Sequence, residues 1–443
     1  MRSGGIDTVL DVRLKHEAGT LARLADAIAD HGGLLCEIVT VRIGDEHTRR
    51  EITVATDTEE HLARIIAAVK PLPGVEVLST RDRVMDAHRG GKIRVTRRLE
   101  LDTVRDLRTI YTPGVARVVR TIQNDPSSSW DLTWRGTSVG IFTDGSRVLG
   151  LGDVGPLASL PVMEGKAVLY DKFASLSAVP LVLSVKTTDE FVDTVARVSC
   201  GFAAIHLEDI KSPECFDIES RLRAQLRKPV FHDDQHGTAT AVLAALINGA
   251  RSVGLALESA TVGVIGLGAA GTAIASLLGR FGVGQVLAHD LDLAARTRGE
   301  RVGARLVALP DLLANAHVIV AATGRPGLIE PRHIKRGQIV FALSNPDPEI
   351  DPTVAVAAGA ALASDGRAIN NALAFPSLVR AAIRTRAWTI TDAMLIAAAR
   401  AIASQAEPGE LVPSPLDRAL HDAVTEAVAR CAIDTGMANT ASP

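Results

Sequence analysis

A chain of 443 residues exceeds what one hydrophobic core organises, so two or three domains are expected. Hydrophobic residues at 47% and charged residues at 22% are an ordinary globular balance that argues against dominant disorder. A formal charge of −3, with neither sign massed in one block, gives no surface for nucleic acid or an anionic membrane, and leaves a small-molecule substrate as the expected partner.

In chain order, the N-terminal stretch breaks its apolar run with charge almost at once, and about 18 uninterrupted apolar residues occur nowhere. Neither a signal peptide nor a membrane span is therefore expected, and the protein is read as cytoplasmic. Cys36, Cys200, Cys215 and Cys431 lack any CxxC spacing and are expected to be reduced thiols. From Ile6 to about Arg81 the pattern predicts βαββαβ: Leu10, Val12 and Leu14 alternate as in a half-buried strand. Leu21, Leu24, Ala25 and Ile28, and then Leu62, Ile65, Ile66 and Val69, each line one helical stripe. This ferredoxin-like plan, with Ala18-Gly19-Thr20-Leu21 at the first strand-to-helix turn and His31-Gly32-Gly33 after the helix, resembles the ACT domain. The resemblance implies a regulatory domain over residues 1–82 and an amino-acid effector; a plait used only for dimerisation has the same periodicity.

Past Val84 come charged and Gly-containing turns, then a long α/β stretch from about Asp131 to His232, the candidate substrate domain. From about Ser259 to Asp365 apolar runs recur as strands, Thr261 to Ile265, Gln285 to His289, Val318 to Thr323 and Ile339 to Leu343, separated by helix-length segments. The fold class is α/β, with a Rossmann doubly wound parallel sheet over 234–370 and a substrate domain made of 83–233 and 371–443. The tail beyond Phe375 is Ala-rich and helical in period, apart from a Pro-containing loop from Glu407 to Pro415, and is expected to pack on the substrate domain.

Gly266-Leu267-Gly268-Ala269-Ala270-Gly271 follows the first of those strands and opens a helix, the context that makes a GxGxxG match a dinucleotide site. Gly266 serves the tight turn, Gly268 the approach of a pyrophosphate, and Gly271 the packing of helix on strand. Asp290, at the end of the next strand, is placed to accept hydrogen bonds from ribose hydroxyls and to repel a 2′-phosphate, which favours NAD over NADP. Glu208-Asp209 and Asp233-Asp234 are two acidic pairs; apart they read as solvated turns, but converging in one site they imply a divalent cation, Mg²⁺ or Mn²⁺.

The runs Tyr111-Thr112-Pro113-Gly114-Val115-Ala116 and Thr143 to Asp153 resemble those of bacterial malic enzymes. Pro161 to Lys166, Leu207-Glu208-Asp209-Ile210, His232 to Ala239, Leu343-Ser344-Asn345-Pro346 and Asn370-Asn371 through Phe375-Pro376 follow in the family's order, covering about His88 to Phe375. The ACT-like arm is found in only part of that family. The resemblance implies oxidative decarboxylation of L-malate to pyruvate. It makes Lys166 the base towards the C2 hydroxyl, Asp233 its orienting partner, and Glu208, Asp209 and Asp234 the metal ligands. It makes Tyr111 the proton donor to C3, Arg147 the partner of the malate C1 carboxylate, and Asn345 and Asn371 hydrogen-bonding groups for substrate and nicotinamide ribose. A free lysine, with a pKa of about 10.4, is protonated at neutral pH, so burial and a nearby cation are expected to lower that of Lys166.

The family resemblance also implies a homodimer or higher homo-oligomer. Ser184 to Glu190 departs from the acidic, proline-containing run common in the family, at a place where no catalytic role is assigned. Three other readings compete. One is a malolactic-type reaction that retains the cofactor and releases lactate; another is a catalytically silent amino-acid sensor on the same scaffold. The third is an amino-acid dehydrogenase, which has no need of the metal carboxylates.

Overall fold

Residues 6–148 and 150–439 are described by a computed structural model; residues 1–5, Leu149 and 440–443 of the ranges above lie outside them. The chain divides into two units between Arg94 and Val95. The first holds β1 (Ile6–Lys15), α1 (Thr20–Asp30), β2 (Leu34–Ile43), β3 (His47–Thr56), α2 (Glu59–Val69), β4 (Val75–Asp82) and α3 (Arg83–His88). Its sheet is antiparallel in the order β2-β3-β1-β4, a βαββαβ plait. Period-2 alternation turns Leu10, Val12, Leu14, Ile52 and Val54 to one face, where Leu24 and Ile28 of α1 and Ile65 and Val69 of α2 close the core. On the opposite face Asp11 is buried and forks with Arg49, whose hydrogen bonds hold its carboxyl below the usual range although burial opposes this. This unit continues past residue 82, because the Asp82 carboxylate caps α3 by accepting from the N–H groups of Val84 and Met85, and Arg83 pairs with Glu37 at 3.1 Å.

The second unit begins with α4 (Val104–Ile110), α5 (Val115–Asn124) and α6 (Ser129–Leu132). There follow β5 (Ser138–Thr143), α7 (Gly155–Leu169), β6 (Ser177–Val182), α8 (Thr188–Val198), β7 (Ala204–Leu207), α9 (Glu214–Gln225), β8 (Val230–His232) and α10 (Thr238–Val253). Next come β9 (Thr261–Ile265), α11 (Ala269–Phe281), β10 (Gln285–His289), α12 (Leu293–Arg301), β11 (Arg305–Leu306), α13 (Leu309–Asn315) and β12 (Val318–Ala321). The chain ends with β13 (Ile339–Ala342), α14 (Pro352–Ala357), β14 (Leu362–Asp365), α15 (Phe375–Arg384), α16 (Asp392–Ser404) and α17 (Arg418–Asp434).

Two parallel sheets result, β6-β5-β7-β8 and β11-β10-β9-β12-β13-β14, the second being the doubly wound order with its switch between β9 and β12. The strands expected to run to Thr323 and Leu343 stop at Ala321 and Ala342. There the Thr323 and Ser344 hydroxyls and N–H groups turn aside to the buried Glu349 carboxylate. Helix α7 passes into a π-helical turn at Tyr170–Ala174, and β8 into another at Asp233–Gly237; such turns concentrate at functional sites. The Ala-rich tail folds back: Arg223 donates to Thr389 Oγ1 and the Ile390 carbonyl, and Phe173 stacks on His421 at 4.3 Å. In the departing loop, Thr187 caps α8 and Glu190 accepts the Lys186 N–H. The four cysteines are free, and among the described residues no helix is long and apolar enough to cross a membrane.

Candidate active site

Strands β7 and β8 are parallel neighbours, with Leu207 opposite His232, so the residues that follow them, Glu208-Asp209 and Asp233-Asp234, leave the sheet side by side at its carboxyl edge. Pairs far apart in sequence thereby become one cluster. Donor oxygens of Glu208, Asp209 and Asp234 lie within 4.8 Å of one another, and the Asp209 N–H donates to Asp234 Oδ2 at 3.0 Å. Asp209 has φ +54, a left-handed conformation that is costly for a residue with a Cβ and is typical of sites where the surroundings over-determine the backbone. The buried side of α7 delivers Lys166, 8% exposed, whose Nζ pairs with Asp233 Oδ2 and with Glu208 Oε1 at 3.0 Å.

Lys166 thus pairs with two carboxylates, Asp233 and Glu208, and Glu208 in turn clusters with Asp209 and Asp234. Such a surplus of buried negative charge is tolerable only if some groups take up protons or a cation joins them. Burial raises the pKa of Glu208 and of Asp233 while Lys166 opposes the rise, and burial, then Glu208, push Asp234 up to about 6. For Lys166 itself, burial pulls downward as the sequence suggested, but Asp233 and then Glu208 outweigh it, so without a cation the lysine is held protonated. The all-oxygen donor set fits a hard divalent ion, and Asp233 Oδ1, buried without a hydrogen-bond partner, marks charge that the protein alone does not satisfy.

A pH dependence follows. A carboxyl whose folded pKa is raised from 3.8 to about 6 contributes stability fully present below about pH 4 and lost as the pH rises through 6. A cation bound to the ionised cluster restores it. In scanning fluorimetry, saturating Mn²⁺ is expected to raise Tm by several °C at pH 7.5, for a ligand at about 100 times its Kd, and by almost nothing at pH 5. Equal shifts at the two pH values would contradict this.

The cofactor loop opens α11 at the carboxyl edge of the second sheet. Gly266 has φ +88, and a Cβ there would stand 2.6 Å from the Ala322 carbonyl of the loop after β12. Gly271 is closer still, its Cβ position lying 1.7 Å from the Gly266 carbonyl, whereas Gly268 has negative φ and open space within 4 Å. Nothing among the described residues requires glycine at 268, which is the pattern of a position kept bare for a ligand. Asp290 accepts the Leu267 N–H at 2.6 Å and the Asp292 N–H at 2.8 Å, so it both braces the loop and stands at the end of β10.

The other predicted residues divide. The Arg147 N–H donates to the Asp209 carbonyl at 3.0 Å, and its exposed guanidinium reaches 3.3 Å from the Cβ position of Gly324. Asn371 lies with its Cβ 3.2 Å from the Cβ position of Gly237, beside Asp233 Oδ1. Asn345 is exposed, and the Cβ position of Gly150 is 2.9 Å from its carbonyl. Tyr111 is not brought to the cluster within the chain: it ends α4, is 67% exposed, and its hydroxyl has no hydrogen-bond partner among the described residues. The tyrosine that does join the network is Tyr170, fully buried, with Oη 2.8 Å from His206 Nδ1; His206 Nε2 is 2.7 Å from Glu208 Oε2. Burial lowers the pKa of His206 to about 3, so its ring is neutral. Sequence reasoning missed Tyr170, His206 and Glu349. Only His206 had a readable signal, since strand period 2 puts residues 206 and 208 on one face.

Three family models match the chain. They are malic enzyme, N-terminal domain, over residues 90–223; D-isomer specific 2-hydroxyacid dehydrogenase, NAD binding domain, over 231–326; and malic enzyme, NAD binding domain, over 366–434. NAD-dependent malic enzyme 1 of Bacillus subtilis is 45% identical over 417 residues, 94% of this chain and 95% of the relative. The bifunctional malic/malolactic enzyme of the same organism is 38% identical, over 82% of this chain and 95% of its own length. The crystal structure of malic enzyme from Pyrococcus horikoshii superposes with a TM-score of 0.75 at 39% identity, over 80% of this chain and 89% of that one. Sequence identity along nearly the whole chain, joined to a dinucleotide loop and a lysine among carboxylates, shows that this protein belongs to the malic enzyme family.

Proposed function

We propose that this chain converts L-malate and NAD to pyruvate, CO₂ and NADH, with a divalent cation as cofactor. The observation that carries the reading is the cluster itself, a buried lysine placed between Asp233 and Glu208 next to three cation-competent carboxylates. Glu208, Asp209 and Asp234 hold the ion, and Gly266, Gly268, Gly271 and Asp290 take the dinucleotide. Bound NAD supplies the hydride acceptor, and the cation supplies Lewis acidity for the hydroxy acid and for loss of CO₂ from the β-keto acid. Lys166 takes the C2 hydroxyl proton once the acidic cluster is neutralised enough to release its own, and Asp233 aims it. Arg147 pairs with the C1 carboxylate, Asn345 and Asn371 hydrogen-bond substrate and nicotinamide ribose, and Tyr111 returns a proton to C3.

Residues 83–233 with 371–443 serve the substrate in this reading, 234–370 the cofactor, and 1–82 regulation by an amino acid on an ACT-like plait. A homodimer or higher homo-oligomer belongs to it as well. Helices α4 and α5 bury none of their residues, and Leu99, Leu101, Val104, Tyr111 and Val119 are exposed, apolar surface of the kind that an interface between copies would cover.

The deciding assay follows absorbance at 340 nm with L-malate, Mn²⁺ and either NAD or NADP, with pyruvate and lactate measured separately. Stoichiometric NADH and pyruvate, abolished by chelator, support the proposal. Lactate without NADH would favour the malolactic reading, to which the bifunctional relative gives weight. No turnover, even with amino acids added, would favour the silent sensor. With Asp290 read as the carboxylate that repels a 2′-phosphate, Asp290→Asn is expected to raise the ratio of NADP to NAD kcat/KM by about tenfold. The amide oxygen can still accept the Leu267 N–H, with loss of the bond from the Asp292 N–H; an unchanged ratio would remove Asp290 as the discriminator.

A further inference from the structure

Behind Glu208 stands a buried chain of polar groups that the reaction above does not use. Tyr170 and His206 are both fully buried, the first at the start of a π-helical turn and the second inside β7. Their rings meet edge to face at 5.6 Å, Phe375 closes on both at 5.0 and 5.5 Å, and Phe231 lies 6.0 Å from the imidazole, so the ring of His206 is boxed into one orientation. The direction of the hydrogen bonds then follows from what each atom can do. The Glu208 carboxylate only accepts, so His206 Nε2 carries the hydrogen; in a neutral ring Nδ1 is then an acceptor, and the Tyr170 hydroxyl is its donor.

We infer that Tyr170 and His206 are positioning residues for Glu208: the tyrosine hydroxyl anchors the far edge of the imidazole at Nδ1, and the imidazole occupies Oε2 so that Oε1 is presented to Lys166. The inference rests on the proposal that Glu208 is a metal ligand. Without the tyrosine hydroxyl, Nδ1 loses the hydrogen bond that tethers it among the aromatic rings, and the imidazole is held against Glu208 Oε2 from one side only. Outer hydrogen bonds of this kind typically change metal affinity by about 10–100-fold when removed.

Mn²⁺ binding to the full-length protein without substrate, read from the EPR signal of the free ion, tests this. Tyr170→Phe, which removes one oxygen and keeps the ring, is expected to weaken Mn²⁺ by about fivefold, and His206→Phe by about 10–100-fold. His206→Gln offers an amide N–H to Glu208 and an amide oxygen to Tyr170, and is expected to stay within about threefold of the parent. A merely structural role predicts comparable losses for Phe and Gln at 206, or lowered Tm with unchanged Mn²⁺ affinity, and either result overturns the inference. Glu208→Gln separates the two layers. If it loses Mn²⁺ while Tyr170→Phe and His206→Phe bind like the parent, the positioning role alone fails; if it too binds like the parent, Glu208 is no ligand and both fail.

Discussion

Lys166→Ala is expected to lower malate-dependent NADH formation by about three orders of magnitude, the range of general-base contributions, while leaving NAD affinity within about twofold of the parent. Among the described residues the lysine makes its ion pairs with Asp233 and Glu208 and none with the dinucleotide loop, so, with Lys166 as the proposed base, its loss should stop proton transfer from the C2 hydroxyl and leave the cofactor half intact. Mn²⁺ is expected to bind at least as tightly, since removing the ammonium takes away the positive charge that pairs with Glu208 and Asp233. Lys166→Arg separates charge from chemistry: a guanidinium preserves the positive charge but does not give up its proton in a protein, so this variant should be as slow as the alanine. Oxaloacetate supplied directly bypasses the hydroxyl step, and its decarboxylation should fall far less than malate oxidation in both variants. Malate oxidation within tenfold of the parent in either variant would place the base elsewhere.

How much of this was legible depended on the distance over which each feature is encoded. The strands 261–265 and 285–289 stand where apolar runs placed them, and of the two stripes of the N-terminal plait Leu24, Ile28, Ile65 and Val69 are buried, with Leu21, Ala25, Leu62 and Ile66 half-buried. The Gly-rich loop was readable because turn, backbone approach and helix packing are all local demands. The acidic pairs were visible as residues but not as a cluster; their meeting depends on the pairing of β7 with β8, and a three-residue strand such as β8 has no periodicity to read. That Lys166 is held protonated when no cation is present was not legible, because burial is guessable from a sequence, whereas the carboxylates around a given amine are not. Tyr170 carries no signal of its own in the sequence. Its role arises where α7 tightens into a π turn and meets a strand residue 36 positions away, which no spacing rule anticipates. Tyr111 shows the reverse. Its motif was among the most specific in the chain, yet the fold of a single chain leaves it on an exposed helix end.

The second large effect is expected at the cofactor loop, where two glycines three residues apart should fail in different ways. In Gly271→Ala the new methyl would lie 1.7 Å from the Gly266 carbonyl, a backbone atom that cannot swing aside, so the turn between β9 and α11 must open. NAD binding is expected to weaken by about a hundredfold or more, equivalent to about 2.7 kcal/mol, together with a lower Tm. Gly268→Ala places its methyl in open space at a φ of −71° that any residue adopts, so Tm should stay unchanged or rise slightly through the stiffer unfolded chain. Its NAD affinity should nevertheless fall at least tenfold, because the methyl stands where a pyrophosphate must approach the backbone. Fluorescence titration with NADH beside a melting curve distinguishes the cases. A Gly268→Ala protein that is stable and binds NADH normally would mean that the dinucleotide does not cross that amide. The bare position at 268 would then be left without a reason, and the assignment of the loop would fall with it.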